Sequence, residues 1–329
     1  MDPTVVRTRT ASVNGIDLEV TEAGDPASPP VILSHGFPEG AYSWRHQLGP
    51  LADAGFHAIA PDQRGYGRSS APGQVEDYRV DHLAADLLGL LDETGHEQGV
   101  FVGHDWGALI VWDLARLHPE RVRAVVGVSV PLVQWPGVPT EVMKAVYGDR
   151  FFYILYFQPV GPAEAELERD PRLTMARVLY GASGDGFGGL PADPPPAAGT
   201  GFLDLMSDPP APLPGWLTWD DIDRYAAGFR ASGFFGPLSY YRNLDADYAL
   251  VKDLPADRIA MPSFFIGGDR DVVIASNPGA VDAMRAALPD CRGAVLLPGI
   301  GHWTQQEAPE AFNEALLGFL TSLETTLER

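Results

Sequence analysis

Three residues are placed where a reaction could be run. They are Asp105 in Gly103-His104-Asp105-Trp106-Gly107, Asp271 in Gly267-Gly268-Asp269-Arg270-Asp271, and His302 in Gly299-Ile300-Gly301-His302-Trp303. An aspartate between two such glycines reads as a nucleophile at the apex of a tight turn, where backbone packs on backbone and a Cβ would not fit. That apex usually carries serine, which needs a neighbouring base before it can attack. A carboxylate is already ionised at neutral pH. Histidine can then take a proton from water, and a second acid can orient it. Asp269 is the rival to Asp271 for that orienting role.

The elements around these residues must bring them together. Val100 to Val102 is an apolar run too short for a helix, and helical spacing begins after Gly107. Val5 to Val13 and Ile16 to Thr21 flank Asn14-Gly15, a hairpin signal. Pro30 to Ser34, Phe56 to Ala60, Val122 to Val130, Pro262 to Gly267 and Ala294 to Leu297 read as strands, most of them short continuous apolar runs. Helices are predicted from Ser43 to Ala54, Asp81 to Thr94, Gly107 to about Leu117, Val281 to Leu288, and Pro309 to about Leu327. Strands alternating with helices predict an α/β fold with a mostly parallel, doubly wound sheet. Asp105, Asp271 and His302 then fall at carboxyl ends of strands, where ligand sites form in open α/β sheets. Their chain order of nucleophile, acid, histidine is that of α/β-hydrolases. No acid follows the strand ending at Val130-Pro131, so that alternative place for the acid is empty. His35-Gly36-Phe37-Pro38 follows another strand, and the N–H groups of Phe37 and Trp106 could converge on one oxygen as an oxyanion hole.

From Leu132 to about Asp247 the alternation stops. This stretch is rich in aromatics and proline, with helical pieces at Glu141 to Tyr147, Ala163 to Glu168 and Trp219 to Ser232. Gly181 to Pro214 reads as a long loop, expected on the outer surface of an inserted helical cap. The predicted division is core 1–131, cap 132–250 and core 251–329.

The chain has 329 residues, 45% of them hydrophobic, and a formal net charge of -21. That charge argues against nucleic acid or an anionic membrane surface as partner. A single cysteine, Cys291, excludes an internal disulfide and fits a reducing compartment. No secretory signal and no apolar run of ~20 residues is visible, so a cytoplasmic protein is expected. The histidines show no metal-ligand spacing, and Gly65-Tyr66-Gly67 does not open a dinucleotide-binding helix.

His35-Gly36-Phe37-Pro38-Glu39, Asp62-Gln63-Arg64-Gly65-Tyr66-Gly67, the Asp105 turn and Gly301-His302-Trp303-Thr304-Gln305 resemble the motifs of soluble epoxide hydrolases, in their single-domain form with a cap. The resemblance covers nearly the whole chain, although residues 181–214 depart from the family's pattern. Phe152-Tyr153-Ile154-Leu155-Tyr156-Phe157-Gln158 and Gly236-Pro237-Leu238-Ser239-Tyr240-Tyr241-Arg242-Asn243 are similar to the segments carrying the family's two ring-activating tyrosines. The resemblance places those roles on Tyr153 and Tyr241, leaving Tyr156 and Tyr240 as packing residues. It implies an α/β-hydrolase fold and a small-molecule epoxide and water as reactants, with no cofactor. Phe37, Pro38, Trp106, Tyr153, Tyr241 and Trp303 are expected to line the substrate, and the chain to be a monomer or homodimer. Aromatic residues in the cap suggest an apolar or aryl epoxide. Three alternatives remain. A haloalkane or haloacid dehalogenase would use the same Asp, His and Asp, but needs N–H donors for halide. A non-turnover receptor on the same scaffold need not keep a complete catalytic set. An esterase with an Asp nucleophile would have to form an anhydride.

Overall fold

A computed structural model describes residues 5–187 and 195–325. Asn14 and Gly15 take positive φ of 49° and 76°, the hairpin turn geometry that matches strand twist. They join β1 (Val6–Val13) to β2 (Ile16–Ala23). The remaining strands are β3 (Pro30–Ser34), β4 (His57–Pro61), β5 (Gly99–His104), β6 (Val122–Val128), β7 (Ser263–Gly268) and β8 (Cys291–Leu297). The described residues form one eight-stranded sheet in the order β1-β2-β4-β3-β5-β6-β7-β8. The β1–β2 and β2–β4 pairs are antiparallel and all others parallel.

Every residue of β3, β4 and β5 is buried. Both faces of the sheet are covered, which is why these strands read as unbroken apolar runs. One face packs the helices Val80–Glu93 and Trp106–Leu117 through residues such as Leu87 and Ile110. The other packs Trp44, Leu51 and the Pro309–Thr325 helix through Phe312 and Leu316. β3 lies between β4 and β5, so the chain reverses its direction of travel across the sheet there. Such a switch point opens a crevice at the strand ends. The β3–β5 register, from Val31 opposite Val100 to Ser34 opposite Gly103, sets the loop after β3 beside the Asp105 turn.

Some expectations need correction. The Ser43 to Ala54 segment is not one helix: Ala41–Trp44 is a 3-10 turn and the α-helix covers Leu48–Asp53. Pro50 accounts for this, because proline is tolerated in a first turn but not deeper in a helix. β6 stops at Val128, since Ser129 takes φ 66°. Helices at Pro139–Tyr147, Pro162–Leu167 and Trp219–Ser232 lie close to the predicted cap pieces. The pattern missed Tyr153–Tyr156, Pro171–Gly181, Phe235–Arg242 and Leu244–Val251. Residues 181–214 are not wholly an outer loop: Ser183, Phe202 and Leu203 are buried. The segment can pass inside because its backbone finds partners, with Phe202 and Leu203 N–H donating to Glu166 and Phe151 N–H to the Pro196 carbonyl. Positions 188–194 of that loop lie outside the described residues.

A Cβ on Gly103 would stand 2.0 Å from the Gly107 carbonyl oxygen, whereas one on Gly318 would meet nothing within 4 Å. Gly103→Ala is therefore expected to lose more than about 2 kcal/mol of stability to overpacking. Gly318→Ala, on an exposed helix position, should be neutral or stabilising by up to about 1 kcal/mol. Denaturant titration of the two variants checks the contrast; equal effects would contradict it.

Candidate active site

Asp105 joins β5 to the Trp106–Leu117 helix with φ 53° and ψ -114°. That conformation costs a non-glycine residue about 1–3 kcal/mol, and close packing holds it. A Cβ on Gly107 would lie 2.0 Å from the Ser34 carbonyl oxygen, and one on Gly36 would lie 2.4 Å from the Asp105 Cβ. The loop after β3 thus rests directly on the aspartate, and Phe37 N–H donates to Asp105 Oδ1 at 2.8 Å. Trp106 is the first residue of its helix, so its N–H has no intrahelical acceptor. Pro38 is buried and joined to Phe37 by a cis peptide bond.

His302 Nε2 stands 3.4 Å from Asp105 Oδ2, and Nδ1 stands 3.0 Å from Asp271 Oδ2. Asp271 is fully buried and caps the short Val272–Ser276 helix by accepting Val273 N–H at 2.8 Å. Asp269, the rival acid, instead accepts Gly299 N–H at 2.7 Å. Burial alone would push the Asp105 carboxyl up, but the hydrogen bond and charge of His302 outweigh it and hold the group below its ordinary value. For His302, burial acts downward, yet the Asp271 charge and the Asp105 contact carry the imidazole well above its usual value. Both aspartate contacts thus favour the protonated form of His302.

Tyr153 and Tyr241 come from separate cap helices, with ring centroids 6.0 Å apart. Tyr241 packs edge-on to Trp106 at 4.9 Å and to Phe37 at 5.5 Å, which sets both phenols over the Asp105 turn. Burial raises both phenols, and the Asp105 charge raises them further; the Trp106 indole acts the other way on Tyr241. Among the described residues, no acceptor takes either hydroxyl proton. Their sequence neighbours differ: Tyr156 donates to Glu166 Oε2 at 2.8 Å and Tyr240 to the Arg64 carbonyl at 2.9 Å. Trp303, expected against substrate, needs correction. It is 1% exposed and its indole N–H donates to the Leu179 carbonyl, so it packs behind His302. Among the described residues, no group of His, Cys, Asp and Glu is arranged to hold a metal ion, and no helix is long and apolar enough to cross a membrane.

A family model described as the alpha/beta hydrolase fold matches residues 29–183. Epoxide hydrolase A of Mycobacterium tuberculosis is 46% identical over 317 residues, covering 96% of this chain and 98% of that one. The chain belongs to the epoxide hydrolase family. An epoxide hydrolase of Caballeronia sordidicola is 39% identical over 96% of this chain and 94% of its own. Among solved structures, epoxide hydrolase A from Mycobacterium thermoresistibile matches with a TM-score of 0.87 at 46% identity, over 96% of this chain and 98% of that one. An epoxide hydrolase from an endophytic Streptomyces matches with a TM-score of 0.90 at 38% identity, over 99% and 97%.

In this member of the epoxide hydrolase family, two buried residues beneath the site escaped the sequence reading. Glu39 Oε2 lies 2.7 Å from His104 Nδ1 and accepts Gly36 N–H at 3.0 Å. Its other oxygen accepts the Gln306 and Gln305 amides at 2.8 and 3.2 Å. Burial pushes Glu39 up, but His104 reverses this and keeps it below the usual carboxylate range. His104 Nε2 lies 2.8 Å from the His302 carbonyl oxygen, so both ring nitrogens face acceptors, which a doubly protonated ring satisfies. Each stands inside a quoted motif, but nothing in the sequence pairs them, since they are 65 positions apart.

Removing one partner of a buried pair leaves the other unpaired, typically at about 3–5 kcal/mol. Glu39→Ala should cost that much in denaturant unfolding, with Gly36, His104 and two glutamine amides left without an acceptor. A loss under about 1 kcal/mol would show that the pair is not a structural support of the site.

Proposed function

We propose that this chain opens an apolar or aryl epoxide to a vicinal diol through an alkyl ester on Asp105. The observation that carries the reading is one ionised carboxylate beneath two phenols with unclaimed hydroxyl protons, backed by an imidazole and its acid. Oδ1, held by the Phe37 N–H, remains the carbonyl oxygen, and Oδ2 attacks the less hindered epoxide carbon. The C–O bond breaks toward the ring oxygen, which takes a proton from Tyr153 or Tyr241. Asp105 is now a neutral ester. Its charge was one cause of the high proton affinity of both phenols and of His302. Alkylation thus makes the phenols better acids as the alkoxide appears, and loosens the His302 proton, which replaces the one donated.

Neutral His302, oriented by Asp271, then takes a proton from water as the water oxygen attacks the Asp105 carbonyl carbon. Phe37 and Trp106 N–H hold the tetrahedral oxyanion; one such donor is worth roughly 3–4 kcal/mol in related chemistry. The diol oxygen leaves with the proton from His302, and the new Asp105 carboxyl returns its own proton to His302. The cycle closes without a cofactor. The phenol pair sits among Phe37, Phe157 and Phe202, which supports an apolar or aryl substituent. A dehalogenase would want paired indole donors, and the Trp303 indole is already spent on a backbone carbonyl. Cys291, a free thiol, fits a cytoplasmic setting.

The two half-reactions should separate with pH. Alkylation needs ionised Asp105, whose affinity for protons is lowered, so it persists into acid. Ester hydrolysis needs neutral His302. In the ester the Asp105 charge no longer raises the imidazole, but the Asp271 charge, its largest raising cause, still does. Hydrolysis therefore fails first as pH falls through that value. Rapid quenching of styrene oxide turnover, read by intact-protein mass, should show a protein–epoxide adduct that grows as pH drops from neutral. Asp105→Ala should show none. An adduct that persists in Asp105→Ala, or no adduct at any pH with both phases declining together, would overturn the proposal.

A further inference from the structure

Glu307 is a buried carboxylate that the mechanism above does not use, and its surroundings are unusual. It ends the short helix Thr304–Glu307 that follows His302. Its Oε1 accepts Trp303 N–H at 3.0 Å, and its Oε2 accepts Gly301 N–H at 2.9 Å. A glutamate reaching back over the first turn of its own helix is a local capping device, and that explains these two bonds. It does not explain the third. Oε2 also accepts Gly184 N–H at 2.8 Å, from a residue 123 positions away in the cap.

The rest of this junction is equally close. A Cβ on Gly184 would stand 2.2 Å from the Gly299 carbonyl oxygen, and one on Gly301 would stand 2.1 Å from Gly184 N. His302 N–H donates to the Ala182 carbonyl at 2.9 Å, and the Trp303 indole donates to the Leu179 carbonyl at 2.7 Å. On the core side, the His302 carbonyl receives His104 Nε2 and Ser129 Oγ, each at 2.8 Å. The N–H groups of 301, 302 and 303 are therefore all claimed by Glu307 or by the cap, while the carbonyl of 302 is claimed by the core. The imidazole projects from a backbone clamped on both sides.

We infer that Glu307 is a positioning residue for His302: it latches the cap segment 182–184 to the histidine loop and so sets where the imidazole stands for ester hydrolysis. This rests on the covalent route proposed above. The chemical reason is that the two half-reactions differ in what they demand of His302. Alkylation needs only its positive charge near Asp105, which tolerates a small displacement. Hydrolysis needs Nε2 at a water aimed at one carbon atom, and a displacement near 1 Å there costs on the order of 100-fold. Burial pushes the Glu307 carboxyl up, against which the three N–H donors and His302 favour the ionised form. Glutamine at this position would keep one acceptor oxygen but turn its NH₂ toward an N–H donor. The three bonds cannot all survive.

Glu307→Gln, in the full chain, is expected to slow ester hydrolysis at least tenfold while alkylation stays within about threefold, so that the Asp105 adduct accumulates at neutral pH. Quenched-flow mass measurement of the adduct with styrene oxide reads both rates. Glu307→Asp keeps the charge but shortens the reach to the Gly184 N–H and serves as the milder variant if Glu307→Gln does not fold; it should show the same selective loss, smaller in size. Equal slowing of both half-reactions, or unchanged rates in a folded variant, would overturn the latch. Absence of any adduct in the unaltered enzyme would instead count against the covalent route itself.

Discussion

The structure depends on keeping one carboxylate ionised where water is scarce. Asp105 is half-buried, with 16% of its side chain exposed, and burial pushes its carboxyl up. The opposing hydrogen bonds and charges are supplied by His302 at Oδ2 and Phe37 N–H at Oδ1, from two distant loops, and by His104 at the end of β5. Each must arrive within a few ångströms. The glycine contacts around the turn leave no alternative path for the chain, which is why the backbone strain at Asp105 persists.

The same charge organises its neighbours. Asp105 raises the proton affinity of Tyr153, Tyr241 and His302 together, so in the proposed route its neutralisation as an ester would change all three in the direction that the next steps require. Beneath them, Glu39 and His104 join the loop carrying Phe37 to the His302 carbonyl, so Asp105, Phe37 and His302 share one buried polar support. Above, the cap contributes more than the phenols. Its 179–184 segment hydrogen-bonds the histidine loop at three points.

The parts that could be read from the sequence have a local physical cause. Gly103-His104-Asp105-Trp106-Gly107 announces a turn because only glycine fits on both sides. Asp271 and His302 stand out because each follows an apolar strand. The sheet was readable from buried runs, and the family resemblance singled out Tyr153 and Tyr241 where composition could not separate them from Tyr156 and Tyr240. What escaped depends on distant partners. Glu39 with His104, and Glu307 with Gly184, leave no periodic trace, because a buried polar group is defined by what it bonds to and not by its spacing. The helix Phe235–Arg242 escaped for a related reason: with Gly236 to Tyr241 all buried, it shows no polar face to set a 3.6-residue rhythm. Trp303 looked like a substrate contact because of its place beside His302, and only its bond to Leu179 shows otherwise.

The most direct test is to follow oxygen through a single turnover. With enzyme in excess over styrene oxide in heavy-oxygen water, the account predicts that the label enters the Asp105 carboxylate while the diol carries oxygen from the enzyme and the epoxide. Label found in the diol, with the Asp105 peptide unlabelled, would mean that water attacks the epoxide directly, and the account would be wrong.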